Sequence, residues 1–321
     1  MNIKTFLKYV LPISLGAFFI YLSISITTPD ERKIIIQSVK TADLTYVFLG
    51  LFFAISSHFS RAYRWRFLLS PMGYHPRLMN SFLCVLIAYL ANMGVPRSGE
   101  VIRASFISTY EDIPFEKAFG SIVTERIVDA IMLFIIILIA LFLQFNTVSN
   151  FILGQNINFF QLIFFGVSII FLFVLIFIYV KNSKSIYSSK IKLFFNGLWE
   201  GMISIKSMKN KFPFILHTIF IWIMYLLMFY VIKWSIPGTF NLTIQMIIPV
   251  FVVGGLSIAT TNGGIGIFPL SIALVLNAYE INTEIGLAFG WIMWTSQTLL
   301  IILSGIISLI ALPMVNRKQY L

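Results

Sequence analysis

Charge is the scarcest thing in this sequence. Asp, Glu, Lys and Arg together make up 11% of 321 residues, against about 25% in soluble domains, which excludes an ordinary water-soluble globule. Cysteine is rarer still: Cys84 stands alone, so no intramolecular disulfide can form and no Cys/His spacing for a metal exists. The histidines His58, His75 and His217 are scattered, which points to structural or interfacial roles; neither a metal site nor a cofactor is expected. Apolar and polar residues nowhere alternate at period two, which disfavours a membrane barrel.

What fills the chain instead is apolar. Hydrophobic residues make up 59% of it and the mean hydropathy is +0.92, which predicts an all-α, polytopic integral membrane protein forming one membrane domain. Full spans are expected over residues 10–27, 44–65, 118–144, 159–180, 212–232 and 285–312. Lys4 and Lys8 precede the first of them as in a secretion signal, but Thr27, Thr28 and Pro29 make a poor cleavage site, so a retained span is expected. Residues 29–43 read as a mixed-charge loop. Residues 183–209 place apolar side chains at three- and four-residue steps among lysines, which predicts an amphipathic helix lying in the membrane interface.

Two stretches interrupt the apolar pattern. In 78–110, Gly94, Pro96 and Gly99 break the run, and Asn92, Arg97, Glu100 and Arg103 bring polarity into it. Both legs are shorter than the roughly 20 residues of a span, which predicts a re-entrant helical hairpin, or two full crossings and eight spans in all. Pro96 suits the first turn of the second leg, having no N–H to lose. In 242–278 the break is Asn262, Gly263, Gly264 and Gly266, without charge; no lysine accompanies these glycines, so a nucleotide loop is not expected. Glu125, Arg126 and Asp129 open the 118–144 span, with the two carboxylates four apart on one helix face. Arg61 and Arg64, three apart, share a face and can reach a lipid phosphate, whereas Arg66 and Arg77 read as interfacial anchors.

Basic residues outnumber acidic ones 23 to 12, for a net charge of +11. Nucleic acid is not the expected partner, because these charges flank apolar runs as positive-inside loops do. With both termini, the 61–77 loop and residues 181–211 assigned to the cytoplasm, that side holds 15 of the 23 basic residues. Under that assignment, span 44–65, hairpin 78–110 and span 118–144 run opposite to span 212–232, hairpin 242–278 and span 285–312. This is an inverted-topology repeat, a pattern of transporters whose site lies where broken helices meet.

Arg64 and Trp65, then Asn92, Pro96, Arg97, Ser98, Gly99, Glu100 and Arg103, then Glu125, Arg126 and Asp129, then Gly263, Gly264, Ile265 and Gly266 together resemble the lysylphosphatidylglycerol synthase transmembrane, or flippase-like, family over nearly the whole chain. The resemblance implies a bacterial inner-membrane protein that moves lipids or lipid-linked substrates between leaflets, with site residues at Asn92, Pro96, Arg97, Gly99, Glu100, Arg103, Glu125, Arg126 and Asp129. Family members often carry a proline before the Gly-Gly pair and a glutamate after it. Asn262 and Pro269 stand there instead, so no carboxylate role is expected in the second hairpin. The lipid-synthesising relatives add a soluble aminoacyl-transfer domain. The last predicted span ends nine residues before Leu321, so synthase activity is not expected.

The expected function is transport of an anionic phospholipid or a polyprenyl-phosphate or glycolipid substrate, without catalysis. Arg97, Arg103 and a helix N-terminus would hold the headgroup, and Glu100, Glu125 and Asp129 would pair with the arginines when the site is empty. A carboxylate of raised pKa would couple transport to protons. Two alternatives are an integral-membrane enzyme acting on lipid phosphate or glycan groups, and a non-catalytic membrane partner of envelope-synthesis enzymes.

Overall fold

A computed structural model describes residues 27–144 and 210–316, apart from Pro96 and Asn262, together with Tyr21, Ser25 and Met208. The predicted spans over 10–27 and 159–180 and the amphipathic helix over 183–209 lie outside the described residues but for a few positions. The described residues are helical, with no strand among them. The chain forms two units, Met1–Ile122 with Lys209–Leu321, and Val123–Met208.

Helix α1, Pro29–Lys40, corrects the expectation of a loop over 29–43. Thr28 and Glu31 form a capping box. The Glu31 N–H donates to the Thr28 hydroxyl at 3.3 Å, and the Thr28 N–H donates to the Glu31 carboxylate at 2.6 Å. Pro29 in the first turn has no N–H to leave unsatisfied, and Asp30 and Glu31 complement the helix dipole.

Helix α2, Leu44–Leu69, starts where the Asp43 carboxylate caps the Thr45 N–H at 2.8 Å, after a bend of 71° from α1. There follow α3, Leu78–Gly94; α4, Gly99–Glu111; α5, Phe115–Leu143; α6, Lys211–Ile232; α7, Ile244–Thr260; α8, Ile267–Asn277; and α9, Thr283–Val315. Among the described residues, α5, Lys211–Ser235 and α9 are long and apolar enough to cross a membrane, and α1 with α2 passes as a bent pair. Outward residues such as Phe48, Phe52, Phe142 and Ile307 are more than half exposed. Such faces suit lipid, not water. The chain is an integral membrane protein.

The two interrupted stretches are pairs of antiparallel helices. Asn80 near the start of α3 donates to the Glu111 carboxylate at the end of α4, while Gly99 at the start of α4 lies against Ala88 and Asn92 of α3. A Cβ on Gly254 of α7 would lie 2.9 Å from Phe268 and 3.2 Å from Ile272 of α8. Helix α9 then packs by glycine. Cβ atoms on Gly286 and Gly290 would lie 2.8 Å from Ala273 Cα and 2.6 Å from Pro269 Cα of α8, and one on Gly305 2.5 Å from Leu90 Cβ of α3. Small residues that let backbones touch are how helices associate where lipid removes the hydrophobic drive.

The end of α9 is tied to the start of α3 by a buried polar latch. The side-chain amides of Asn80 and Asn316 exchange two hydrogen bonds of 3.0 Å, and Asn316 also donates to the Leu312 carbonyl at 2.7 Å. Arg77 reaches Glu111 at 2.9 Å and donates to the Asn316 carbonyl oxygen, so it joins helices as well as marking an interface. In Asn316→Ala the fully buried Asn80 amide loses its reciprocal partner, which costs about 1–3 kcal/mol. The expected result is a lower melting temperature of the detergent-solubilised protein, and unchanged melting would show that the latch does not hold the helices.

Candidate functional site

The site grows from one face of α2. Helical periodicity turns Ser57, His58, Arg61, Arg64, Trp65 and Leu68 inward together, and all six are buried. Arg61 and Arg64 meet α6 there. The Arg64 Nη1 donates to Thr218 Oγ1 at 2.9 Å with its guanidinium 5.5 Å from the Phe214 ring centre, and the Arg61 Nη2 donates to the Tyr225 hydroxyl at 3.3 Å. Helix α4 supplies Arg103, whose guanidinium carbon lies 3.9 Å from the centre of the Trp65 ring. The Trp65 indole N–H donates to Ser121 Oγ at 2.8 Å, which fixes the ring plane under the guanidinium.

Three guanidiniums therefore gather along roughly 6 Å of α2, taking 1.5 Å per residue from 61 to 65. Arg61 is 3% exposed, Arg64 0% and Arg103 2%. Removing such a charge from water costs several kcal/mol. Arginine bears that cost best: it is weakly hydrated, stacks on aromatic faces and keeps its proton in any protein setting. Its planar fork matches phosphate and carboxylate oxygens.

Beyond Arg61 the polar path continues. The Tyr225 and Tyr89 hydroxyls lie 3.3 Å apart, and the Tyr89 ring sits 4.5 Å from the buried His58 ring. Thr218, Tyr225 and Tyr89 were not expected at the site, and His58 was expected in a structural or interfacial role. Their one sequence signal is placement: His58 stands three residues before Arg61 on the same helical face.

The hairpin tip departs from expectation in one respect. Helix α4 begins at Gly99, three residues later than a start at Pro96, because Arg97 adopts a left-handed backbone with φ of 63°. The Gly99 N–H is taken by Asn92 Oδ1 at 2.7 Å, and the Ser98 hydroxyl donates to the Val95 carbonyl at 2.7 Å. Asn92 thus fastens the tip, and one of the N–H donors expected for a phosphate is already engaged. Arg97 is exposed and Arg103 buried, so the two occupy different surroundings. Glu100 is half-buried in the first turn of α4, and Pro96 lies outside the described residues. Gly94 ends α3 with open space around it.

In the second unit, Glu125 is fully buried and Asp129 nearly so on the shared face of α5, and Arg126 Nη1 lies 3.9 Å from Asp129 Oδ2. At the other break, Gly263, Gly264 and Gly266 all take positive φ, between 69° and 75°, which a side chain would strain. The Trp294 indole N–H donates to the Gly263 carbonyl at 2.8 Å. Asn262 lies outside the described residues. Among the described residues, no three of His, Cys, Asp and Glu come close enough to hold a metal ion.

A family model described as "Lysylphosphatidylglycerol synthase TM region" matches residues 9–305 of this chain. Among curated proteins, the chain is similar to UPF0104 membrane protein MJ1595 of Methanocaldococcus jannaschii, 35% identical over 104 residues, which is 31% of each chain. The match thus spans about a third of the length of that relative. No solved structure matches.

Proposed function

The chain belongs to the lysylphosphatidylglycerol synthase TM region family, and on that premise we propose that it is a flippase-like transporter that moves an anionic phospholipid or a lipid-linked phosphate between leaflets. The observation that carries this reading is the layer of Arg61, Arg64 and Arg103, buried among apolar helices, with Arg103 stacked on Trp65. Ionisable groups inside a membrane bundle are costly and mark substrate paths. Three forks of fixed positive charge select a phosphate in preference to a sugar or an acyl chain. Transport needs no bond to break, so the reading is non-enzymatic.

Element order supports alternating access. Helix α2, the α3–α4 pair and α5 are answered by α6, the α7–α8 pair and α9, as in an inverted repeat with two re-entrant hairpins. At 1.5 Å per residue, the 17 residues of α3 reach about 26 Å, short of a hydrocarbon core of about 30 Å. Arg97 at that tip makes a first contact for the headgroup, and Arg103 the deeper one. With Arg61 and Arg64 counted inside the bundle, 13 of the 23 basic residues stand on one side in the predicted topology, which favours the cytoplasmic membrane with both termini in the cytoplasm.

The test is reconstitution of the full chain in vesicles of phosphatidylcholine and phosphatidylglycerol with a trace of fluorescent phosphatidylglycerol, followed by chemical quenching of the outer leaflet. The inner pool should become accessible with protein and stay protected without it. Equal protection in both, with this lipid and with a polyprenyl-phosphate probe, would remove the reading.

A further inference from the structure

On its outward side the α2–α6 seam carries a groove of about 500 Å³, lined on α2 by Ile55, Ser56, Phe59, Ser60 and Tyr63, with Phe82 of α3 and Leu216, His217 and Phe220 of α6 completing it. Its walls are aliphatic and aromatic, and Phe59, Leu216 and Phe220 are between 40% and 53% exposed. A surface of this kind on membrane-crossing helices is bathed in hydrocarbon. The volume lies within the range of a small-molecule site.

One polar feature interrupts it. Ser60 Oγ and His217 Nδ1 share a hydrogen bond of 2.8 Å, and the His217 ring lies tilted against Tyr63 at 4.8 Å and Phe67 at 5.9 Å. Among the described residues, nothing bonds His217 Nε2. A half-buried imidazole nitrogen wants a partner. Ser60 adjoins Arg61 in sequence and His217 adjoins Thr218, the residue bonded to Arg64. The seam thus carries the guanidiniums inward and, one residue away, the half-buried His217 on the groove side, with Ser60, 3% exposed, bonded behind it. From that pair the groove runs toward Ile55 and Phe220, away from the arginine-rich end of α2. A phospholipid lies that way too, with its phosphate at the charged interface and its chains toward the midplane.

We propose that this groove seats one acyl chain of an anionic diacyl phospholipid, with His217, held by Ser60, bonded to one of its ester or phosphate oxygens. The inference rests on the transport reading for what happens next: the seated lipid waits at the seam, one residue's breadth from Arg61 and Arg64. The rungs Ser60–His217, Arg64–Thr218 and Arg61–Tyr225 close the seam, and parting them admits the headgroup.

The full chain is reconstituted in phosphatidylcholine–phosphatidylglycerol vesicles containing a trace of phosphatidylglycerol with a diazirine midway along one acyl chain. After irradiation, labelled peptides are located by mass spectrometry. Residues 55–63 and 216–220 should carry about tenfold more label than the more exposed positions Leu303 and Ile307 of α9, and Ser56→Trp, which fills the groove, should erase that excess. His217→Phe, which keeps the ring packing but not the hydrogen bond, should lower the excess by about tenfold, the 1.4 kcal/mol of one bond. Label spread evenly over all exposed helices, or an excess unchanged in Ser56→Trp, would overturn the proposal. Groove labelling without translocation removes the transport reading and leaves the lipid seat standing, whereas translocation with even labelling removes the seat alone.

Discussion

Replacing Arg103 with alanine is expected to cut lipid translocation by about 10- to 100-fold, since a hydrogen bond to a charged group is worth about 1.5–3 kcal/mol and each 1.4 kcal/mol is tenfold. The guanidinium lies 3.9 Å over Trp65 and is 2% exposed. Its charge therefore acts in a medium that screens little. The substitution also removes a desolvated cation–π contact worth about 2 kcal/mol, so transport is to be scored per monodisperse protein after size exclusion. Arg103→Lys separates charge from shape. Lysine restores the positive charge but not the planar fork or the stack, and should recover only part of the rate. An alanine variant that folds and transports at the native rate would take Arg103 out of the site.

The second large effect concerns a position with no charge at all. Gly99→Ala should destabilise the protein by about 3 kcal/mol, at the upper end for overpacking. In an open helix the same change stabilises by roughly 0.5–1 kcal/mol, because alanine loses less backbone freedom. Here sterics win. The new Cβ would overlap the Ala88 carbonyl oxygen and lie 2.7 Å from Asn92 Nδ2, the side chain that fastens Gly99. Gly94→Ala, with nothing within 4 Å of its Cβ, is the control and should match or slightly exceed the native melting temperature. A Gly99→Ala protein that melts with the control would mean that the hairpin legs are free to separate.

Apolar length alone pointed to α2, α5, α6 and α9, and the glycine and proline breaks pointed to two pairs of shorter helices, because lipid demands long unbroken runs and tolerates few exceptions. Helix α1 was hidden by its mixed charges, although Thr28, Pro29 and Glu31 spell a helix start. At the site, Arg61, Arg64 and Arg103 announced themselves as charges in apolar surroundings. Their neutral companions did not. Thr218 lies 154 residues from Arg64 and Tyr225 lies 164 from Arg61, and a Thr or Tyr in an apolar run looks the same whether it meets lipid or a guanidinium. The different surroundings of Arg97 and Arg103 were likewise unreadable, since they follow from one left-handed residue at the tip.

The glycines of α9 set a mechanical limit on how such a protein can cycle. Packed helices ordinarily slide past one another by small steps, with side chains changing rotamer to absorb each displacement. Where Gly290 meets the Pro269 backbone and Gly286 meets that of Ala273, no side chain lies between the helices to yield. Helix α8 is therefore geared to α9 without slack, whereas α3 meets α9 through the Leu90 side chain at Gly305 and the Asn80–Asn316 amide pair. Helices α8 and α9 turn or tilt as one piece. The α2–α6 seam is close-packed at one end, where a Cβ on Gly50 would lie 3.0 Å from Ile232, and is bridged by the long side chains of Arg61 and Arg64 at the other, so relative motion there is left to the arginine end.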